Sequence, residues 1–292
     1  MLNLDTIRKD ATLVQPDASH DLPALQDRGV TLEWLVDFGK SAARELSRLW
    51  QAHDDQARAA FYFDNVPDPS PLPYTRGQDV TSHFLTAAVV RPLTAQYAVP
   101  LYAMVPPGAR GKPDIFLSHA WGNPLIGYAS SELVALSSGV RSAGSPPVCL
   151  WFDIASYNQH RVEAIASNMK DVIASIGRLG LPLFNDLPFS RLWCLWELLC
   201  AHVTDAEIVV FEPNTSAHDL GLVLKHFHDT FVSVDRAETT LPEDRDAILS
   251  AMIDTFGSIA NTNRFVLELI SSRLSSDADK PWNRATRSDG DG

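Results

Sequence analysis

The sequence has no close cysteine pair, no long apolar run and no block of positive charge, and each absence removes a class of protein. Its three cysteines, Cys149, Cys194 and Cys200, stand apart among apolar neighbours. An odd count without a close pair argues against a disulfide framework and for a reducing compartment. No CxxC spacing points to zinc, and convergence of His119, His160, Cys194 and Cys200 on a metal is set aside in favour of cysteines buried as plain core. No stretch approaches the roughly 18 apolar residues of a membrane span. The opening segment MLNLDTIRKDATLVQPD lacks the apolar centre of an export signal. Together these features predict a cytoplasmic protein with no membrane partner. Lys and Arg total 24 against 36 Asp and Glu, a formal net charge of −12. With no local basic run to offset it, such a chain repels a phosphate backbone, which argues against nucleic acid as a partner.

Several catalytic signatures are also missing. No GxGxxG follows a strand, so the dinucleotide fingerprint of a dehydrogenase is absent. The stretch Gly108–Pro113 (GARGKP) has neither the spacing nor the Ser/Thr of a phosphate loop, and it precedes a strand instead of opening a helix. Ser118 and His119 are adjacent, but no GxSxG elbow surrounds the serine.

What is present is an ordinary globular composition, 45% hydrophobic and 21% charged over 292 residues, enough to bury a core. From Thr31 to Trp50, Leu32, Leu35, Phe38, Ala42, Leu46 and Leu49 form a helical stripe. A short helix is expected over Asp55–Phe63. Four prolines in Asn65–Gly77 preclude regular structure there. Val80–Tyr97 reads as helix, bent or broken near Pro92. Residues 1–110 are thus expected to form a helical N-terminal extension with a proline-rich segment at 65–77, bounded by Pro106-Pro107-Gly108.

Beyond it the pattern alternates between strand and helix. Asp114–Ser118 (DIFLS) and Val148–Ile154 (VCLWFDI) suit buried parallel strands, and Glu207–Phe211 (EIVVF) another. Leu181–Phe184 is a further short strand, weakened by the missing donor of Pro182. Helices are expected over Asn123–Gly139, from Val162 to Leu179 with Gly180 ending it, and over Arg191–His202 with Ser190 as N-cap. Others are expected near Asp219–Phe227, Pro242–Phe256 and Asn263–Leu274. Strands separated by such helices imply right-handed βαβ units and a parallel sheet over residues 111–275. The polar tail, 276–292, reads as disordered.

In an open parallel sheet, ligands bind at the carboxyl ends of the strands. Ser118–Gly122 (SHAWG), Asp153–Arg161 (DIASYNQHR) and the WCLWE helix all fall at that edge. The reactive residue types gathered there are His119, Trp121, Asp153, Asn158, His160, Arg191, Trp193 and Glu197. Glu197 is the most informative, because Leu192, Trp193, Cys194, Leu195, Trp196, Leu198 and Leu199 make its helix apolar on nearly every side. A carboxylate buried in such a helix costs several kcal/mol unless it is paired or opened to a cavity. Trp193 lies one turn earlier, on the same face. A structural role is open too: a pair of Glu197 with Arg191 or a histidine beneath a packed tryptophan.

DIFLSHAWG resembles the first strand and following loop of Toll/interleukin-1 receptor (TIR) domains, and FSRLWCLWELL, Phe189–Leu199, resembles the family's S-x-W-C-L-x-E-L segment. The resemblance implies a doubly wound, flavodoxin-like α/β fold of the TIR type. It also implies cleavage of NAD+ as substrate, with no bound cofactor, and places the family's catalytic glutamate on Glu197, its tryptophan on Trp193 and the acidic residue that ends the second strand on Asp153. Ser118, His119, Trp121 and Arg191 complete the substrate-binding candidates. The family context implies immune or antiphage defence and self-association through residues 154–162. His119-Ala120-Trp121 departs from the plant F-R-G, and the loop SYNQHR lacks the usual glycine.

A single carboxylate suits this chemistry. Cleaving the nicotinamide–ribose bond passes through an oxocarbenium-like state, as glycoside hydrolysis does. Nicotinamide leaves as a neutral ring from a pyridinium cation, so no general acid is needed. The protein has to hold the ribose hydroxyls and stabilise positive charge, with Trp193 stacked on the nicotinamide. The rival readings are a TIR interaction module without turnover and a nucleotide-binding sensor that retains the pocket. His119, Trp121, Asp153 and Arg191 each also admit a packing, capping or surface role.

Overall fold

The computed structural model describes residues 2–16, 21–51, 81–123, 146–160, 165–182, 187–211, 225–239 and 242–271. The expected helices Asp55–Phe63 and Asn123–Gly139, the proline-rich segment 65–77, most of Asp219–Phe227 and the tail 276–292 lie outside them. The chain divides into two compact units. The first comprises Met1–Leu117 with Trp121–Leu133 and Pro146–Glu163; the second comprises Ser118–Ala120 with Val134–Ser145 and Ala164–Gly292.

The first unit opens with helix α1 (Leu4–Asp10), where the Asn3 side chain accepts from the Thr6 amide. Strand β1 (Gly29–Thr31) leads directly into helix α2 (Leu32–Gln51). The predicted stripe is the buried face of α2: Leu32, Leu35, Phe38, Ala42 and Leu46 are all 2% exposed or less. Next come helix α3 (Ser82–Leu85), a π-helical turn over Thr86–Val90 and helix α4 (Arg91–Thr94). The break expected at Pro92 takes the form of that widened turn. Proline has no amide to return to the carbonyl four residues back, and Arg91 N–H reaches back five residues to Thr86 O.

Strands β2 (Arg110–Gly111), β3 (Ile115–Leu117) and β4 (Cys149–Trp151) follow, then the single-turn helix α5 (Asp153–Ser156). DIFLS and VCLWFDI pair in parallel as expected, with Phe116 opposite Trp151. Their rings stack at 4.5 Å between centroids, and burial of each large apolar side chain contributes about 1.5–3 kcal/mol. The sheet of this unit is nonetheless mixed, because a strand from the segment expected to be a helical extension joins it. Strand β1 runs antiparallel to both β4 and β2, so the first unit runs across residue 110. Strand β1 has only three residues, too few to show a period. Its glycine is required by close approach: a Cβ on Gly29 would lie 2.6 Å from Gly111 O.

The second unit contains helix α6 (Ile165–Ile176), strand β5 (Arg178–Pro182), helices α7 (Leu187–Ser190) and α8 (Leu192–Val203), and strand β6 (Glu207–Phe211). Helices α9 (Pro242–Phe256) and α10 (Ile259–Leu269) complete it. Strands β5 and β6 are parallel neighbours. Helix α6 ends at Gly177, whose φ of 75° terminates it, and not at Gly180. Leu179 and Gly180, read as the end of the helix, belong to β5 instead. Helix α10 starts four residues before the expected Asn263, where the Ser258 side chain accepts from Asn261 N–H. The two units together are α/β, and among the described residues no helix is long and apolar enough to cross a membrane.

Candidate functional site

Helix α8 carries Glu197, and its composition explains its placement. Leu192, Cys194, Leu195, Trp196, Leu198, Leu199, Cys200 and Ala201 are all at most 2% exposed. A helix buried on nearly every face takes its one carboxylate inside with it: Glu197 is 8% exposed. Mid-helix amides are already bonded within the helix, so a carboxylate there needs a donor from elsewhere. That donor is Ser118. Its Oγ–H donates to Glu197 Oε2 at 2.5 Å, between residues 79 positions apart.

Ser118 directly follows β3 in the chain and is fully buried. Its own amide donates to Gly180 O of β5 at 2.9 Å. The serine backbone is thereby fixed before its hydroxyl is considered. His119, next in sequence, is buried at 6% exposure. Ser118, a neutral hydroxyl, is thus a partner of Glu197 in addition to the arginine and histidine candidates that the sequence offers.

Arg191 occupies the N-cap position of α8, the place expected for Ser190, and makes no side-chain cap bond. The reason lies outside the local sequence. Leu192 N–H donates to Glu238 O, and Glu238 N–H donates to Ser190 O, both at 2.8 Å, so a distant backbone segment serves the helix start. The Arg191 guanidinium pairs with the Glu238 carboxylate at 3.3 Å.

Trp193, half-buried one turn before Glu197, donates its indole N–H to Asp244 Oδ2 at 3.0 Å. Asp244 was not among the sequence candidates. It stands in the first turn of α9, and no local signal distinguishes it from the other acids of PEDRD. Cys200 lies on the same helix as Glu197. Burial first, and then the negative charge of Glu197, push its thiol well above the ordinary range, so it is an inert core thiol, as expected.

Trp121 and Asp153 belong to the first unit and meet each other. The Trp121 indole N–H donates to Asp153 Oδ2 at 2.6 Å, and Ile154 N–H donates to Asp153 Oδ1 at 2.7 Å. The His83 ring packs edge-on against Trp121, 5.3 Å between centroids. Ile154, Ala155, Ser156, Tyr157 and Asn158 are all 8% exposed or less. His160 Nε2 lies 2.7 Å from Thr94 Oγ1. That hydroxyl already donates to Val90 O, so His160 supplies the proton. Burial, and then the charge of Arg91, lower the His160 pKa from its ordinary value.

Ser118 and Glu197 are therefore joined in the second unit, and Trp121 and Asp153 in the first. Trp193 and Arg191 each carry a carboxylate partner from a later segment. Among the described residues no group of three or more His, Cys, Asp and Glu forms a metal site. No protein-family model, curated protein or solved structure matches this chain.

Proposed function

We propose that this protein cleaves the nicotinamide–ribose bond of NAD+, with Glu197 as the catalytic carboxylate. The observation that carries the reading is a buried mid-helix carboxylate held by a neutral hydroxyl, Ser118 Oγ at 2.5 Å from Oε2. The Ser118 hydroxyl, being neutral, orients the carboxylate without itself cancelling the charge. That charge is what an oxocarbenium-like ribosyl centre requires.

In the reaction, the bond from the anomeric carbon to the ring nitrogen breaks and its electron pair returns to the nitrogen. Nicotinamide departs neutral, and positive charge spreads over the anomeric carbon and the ring oxygen of the ribose. The Glu197 carboxylate stabilises that charge. Water adds to the anomeric carbon and loses a proton, giving ADP-ribose; a second nucleophile in its place gives a cyclic or conjugated product. Trp193 is the stacking surface for the nicotinamide, its indole edge held by Asp244. Trp121 and Asp153 are engaged with each other and are given no catalytic part. The TIR resemblance adds a role in immune or antiphage defence. It also adds assembly through 154–162, a segment in which Ile154 to Asn158 are buried and Gln159 and His160 are partly exposed.

One observation favours a second reading. The same short bond ties Ser118 to α8, so Glu197 would be a structural clasp in a module that signals without turnover. Glu197→Gln separates the two. It keeps the shape and removes the charge, and loss of one preorganised electrostatic group costs roughly 100- to 1,000-fold in rate, about 3–4 kcal/mol. Nicotinamide release from NAD+ and thermal melting are measured on the same preparation. The enzyme reading expects release to collapse while melting holds. A variant that melts several degrees lower and still cleaves at the parental rate leaves only the clasp.

A further inference from the structure

We infer that Ser118 is a positioning residue for Glu197 and not a ligand of the substrate, an inference that rests on the NAD+-cleaving reading above. Three observations converge on it. The serine is fully buried. Its single hydroxyl proton, the only one a serine can donate, is committed to Glu197 Oε2 at 2.5 Å. Its backbone is held by the bond from its amide to Gly180 O, so the hydroxyl is carried on a strand end and not on a free loop.

A hydroxyl that donates to a carboxylate makes a charge-assisted bond. Such a bond has two effects. It favours the ionised acceptor over the protonated one, because a protonated oxygen is a far poorer acceptor. It also fixes the rotation of the carboxyl group, so that the charge is in place before the ribosyl cation forms and no reorganisation is needed at that moment. Ser118 thereby acts on the reaction only through Glu197. Removing it leaves the substrate's own contacts intact and leaves the carboxylate less firmly ionised and held by one bond fewer.

The test uses the full-length chain with Ser118→Ala, Ser118→Cys and Ser118→Thr. Alanine removes the donor, cysteine nearly keeps the size with a weak donor, and threonine keeps the hydroxyl. With the first two we expect kcat to fall by roughly 10- to 100-fold, the usual worth of a hydrogen bond to a charged group, with KM for NAD+ unchanged. Threonine restores most of the rate. The acid limb of the kcat/KM profile moves to higher pH in the alanine and cysteine variants and returns in the threonine variant. Independently of turnover, the carboxyl carbon resonance that vanishes in Glu197→Gln is titrated by NMR, and its midpoint rises when the serine donor is removed.

A rise in KM at constant kcat would show that Ser118 touches substrate, and would overturn the inference. So would an unmoved NMR midpoint in a variant that melts like the parent. If the parental chain releases no nicotinamide, the enzyme reading fails by itself. The NMR midpoint then still decides whether Ser118 governs the Glu197 carboxyl.

Discussion

The two units each hold a carboxylate on a neutral donor, and they satisfy it in different ways. Asp153 begins the short helix α5, and the next amide, Ile154 N–H, supplies one of its bonds locally at 2.7 Å. The Trp121 indole supplies another. Glu197 sits in the middle of the 12-residue α8, where every nearby amide is committed to the helix. Its donor comes from 79 residues away. A carboxylate at a helix start can find partners in its own backbone, so burial there needs no functional explanation. A carboxylate buried mid-helix cannot, and the chain has to bring it a partner through tertiary structure. That asymmetry is why Glu197 is read as catalytic and Asp153 as structural.

The comparison breaks most visibly at Trp121. Trp121→Phe removes the indole donor and leaves the Asp153 carboxylate short of a bond, at a cost of about 1.5–3 kcal/mol. The expected outcome is a melting temperature several degrees lower, with nicotinamide release following the folded fraction. Loss of release at unchanged stability would give Asp153 the same standing as Glu197 and erase the distinction.

A smaller effect of opposite sign is expected at Thr86. Thr86 is buried at 3% exposure, and its hydroxyl has no hydrogen-bond partner among the described residues. Thr86→Val keeps the shape and removes the unsatisfied group, so melting should rise by the equivalent of about 1 kcal/mol. In the second unit the near-isosteric removal of a charge, Glu197→Gln, is expected to alter rate instead. If Thr86→Val melts lower than the parent, the hydroxyl has a partner in solution.

The smallest effect is a slope. The folded pKa of His160 is depressed below its unfolded value. The unfolded chain therefore binds the proton more readily, and stability declines as pH falls through the ordinary histidine range. Replacing it with glutamine should narrow the difference in melting temperature between about pH 7.5 and about pH 5.5. An unchanged difference would mean that this histidine does not contribute to the acid sensitivity of the first unit.

Much of the second unit is legible in the sequence. Strand β6 and helix α9 have the bounds expected from their apolar runs and flanking breakers. The buried character of α8 followed from its residues alone. What could not be read was pairing at a distance. Ser118 and Glu197 were both named as candidates, but nothing in the spacing assigned the hydroxyl to the carboxylate. Glu238 and Asp244 are not distinguished by the sequence, because an acid in a loop or in a polar first turn carries no local mark of the residue it will meet. Gly177 was passed over for Gly180 because both interrupt the apolar pattern, and only the left-handed φ distinguishes them. Strand β1 was invisible, since three residues cannot display an alternation.

That short strand has a consequence in time. Val30 pairs with Leu150 and Thr31 with Cys149, about 120 residues downstream. At synthesis rates of about 5–20 residues per second, the partner of β1 emerges roughly 6–24 s after it. Helix α2, by contrast, has only local backbone bonds to form, on a timescale of about a microsecond. The nascent chain therefore carries a strand with no neighbour for many seconds. At Gly29 an added Cβ would meet the backbone around Gly111 and Pro113, so a side chain there would obstruct that delayed closure. During this interval the polypeptide is most exposed to pairing with another copy of itself, and a chaperone that shields the edge of β1 would have its greatest effect then.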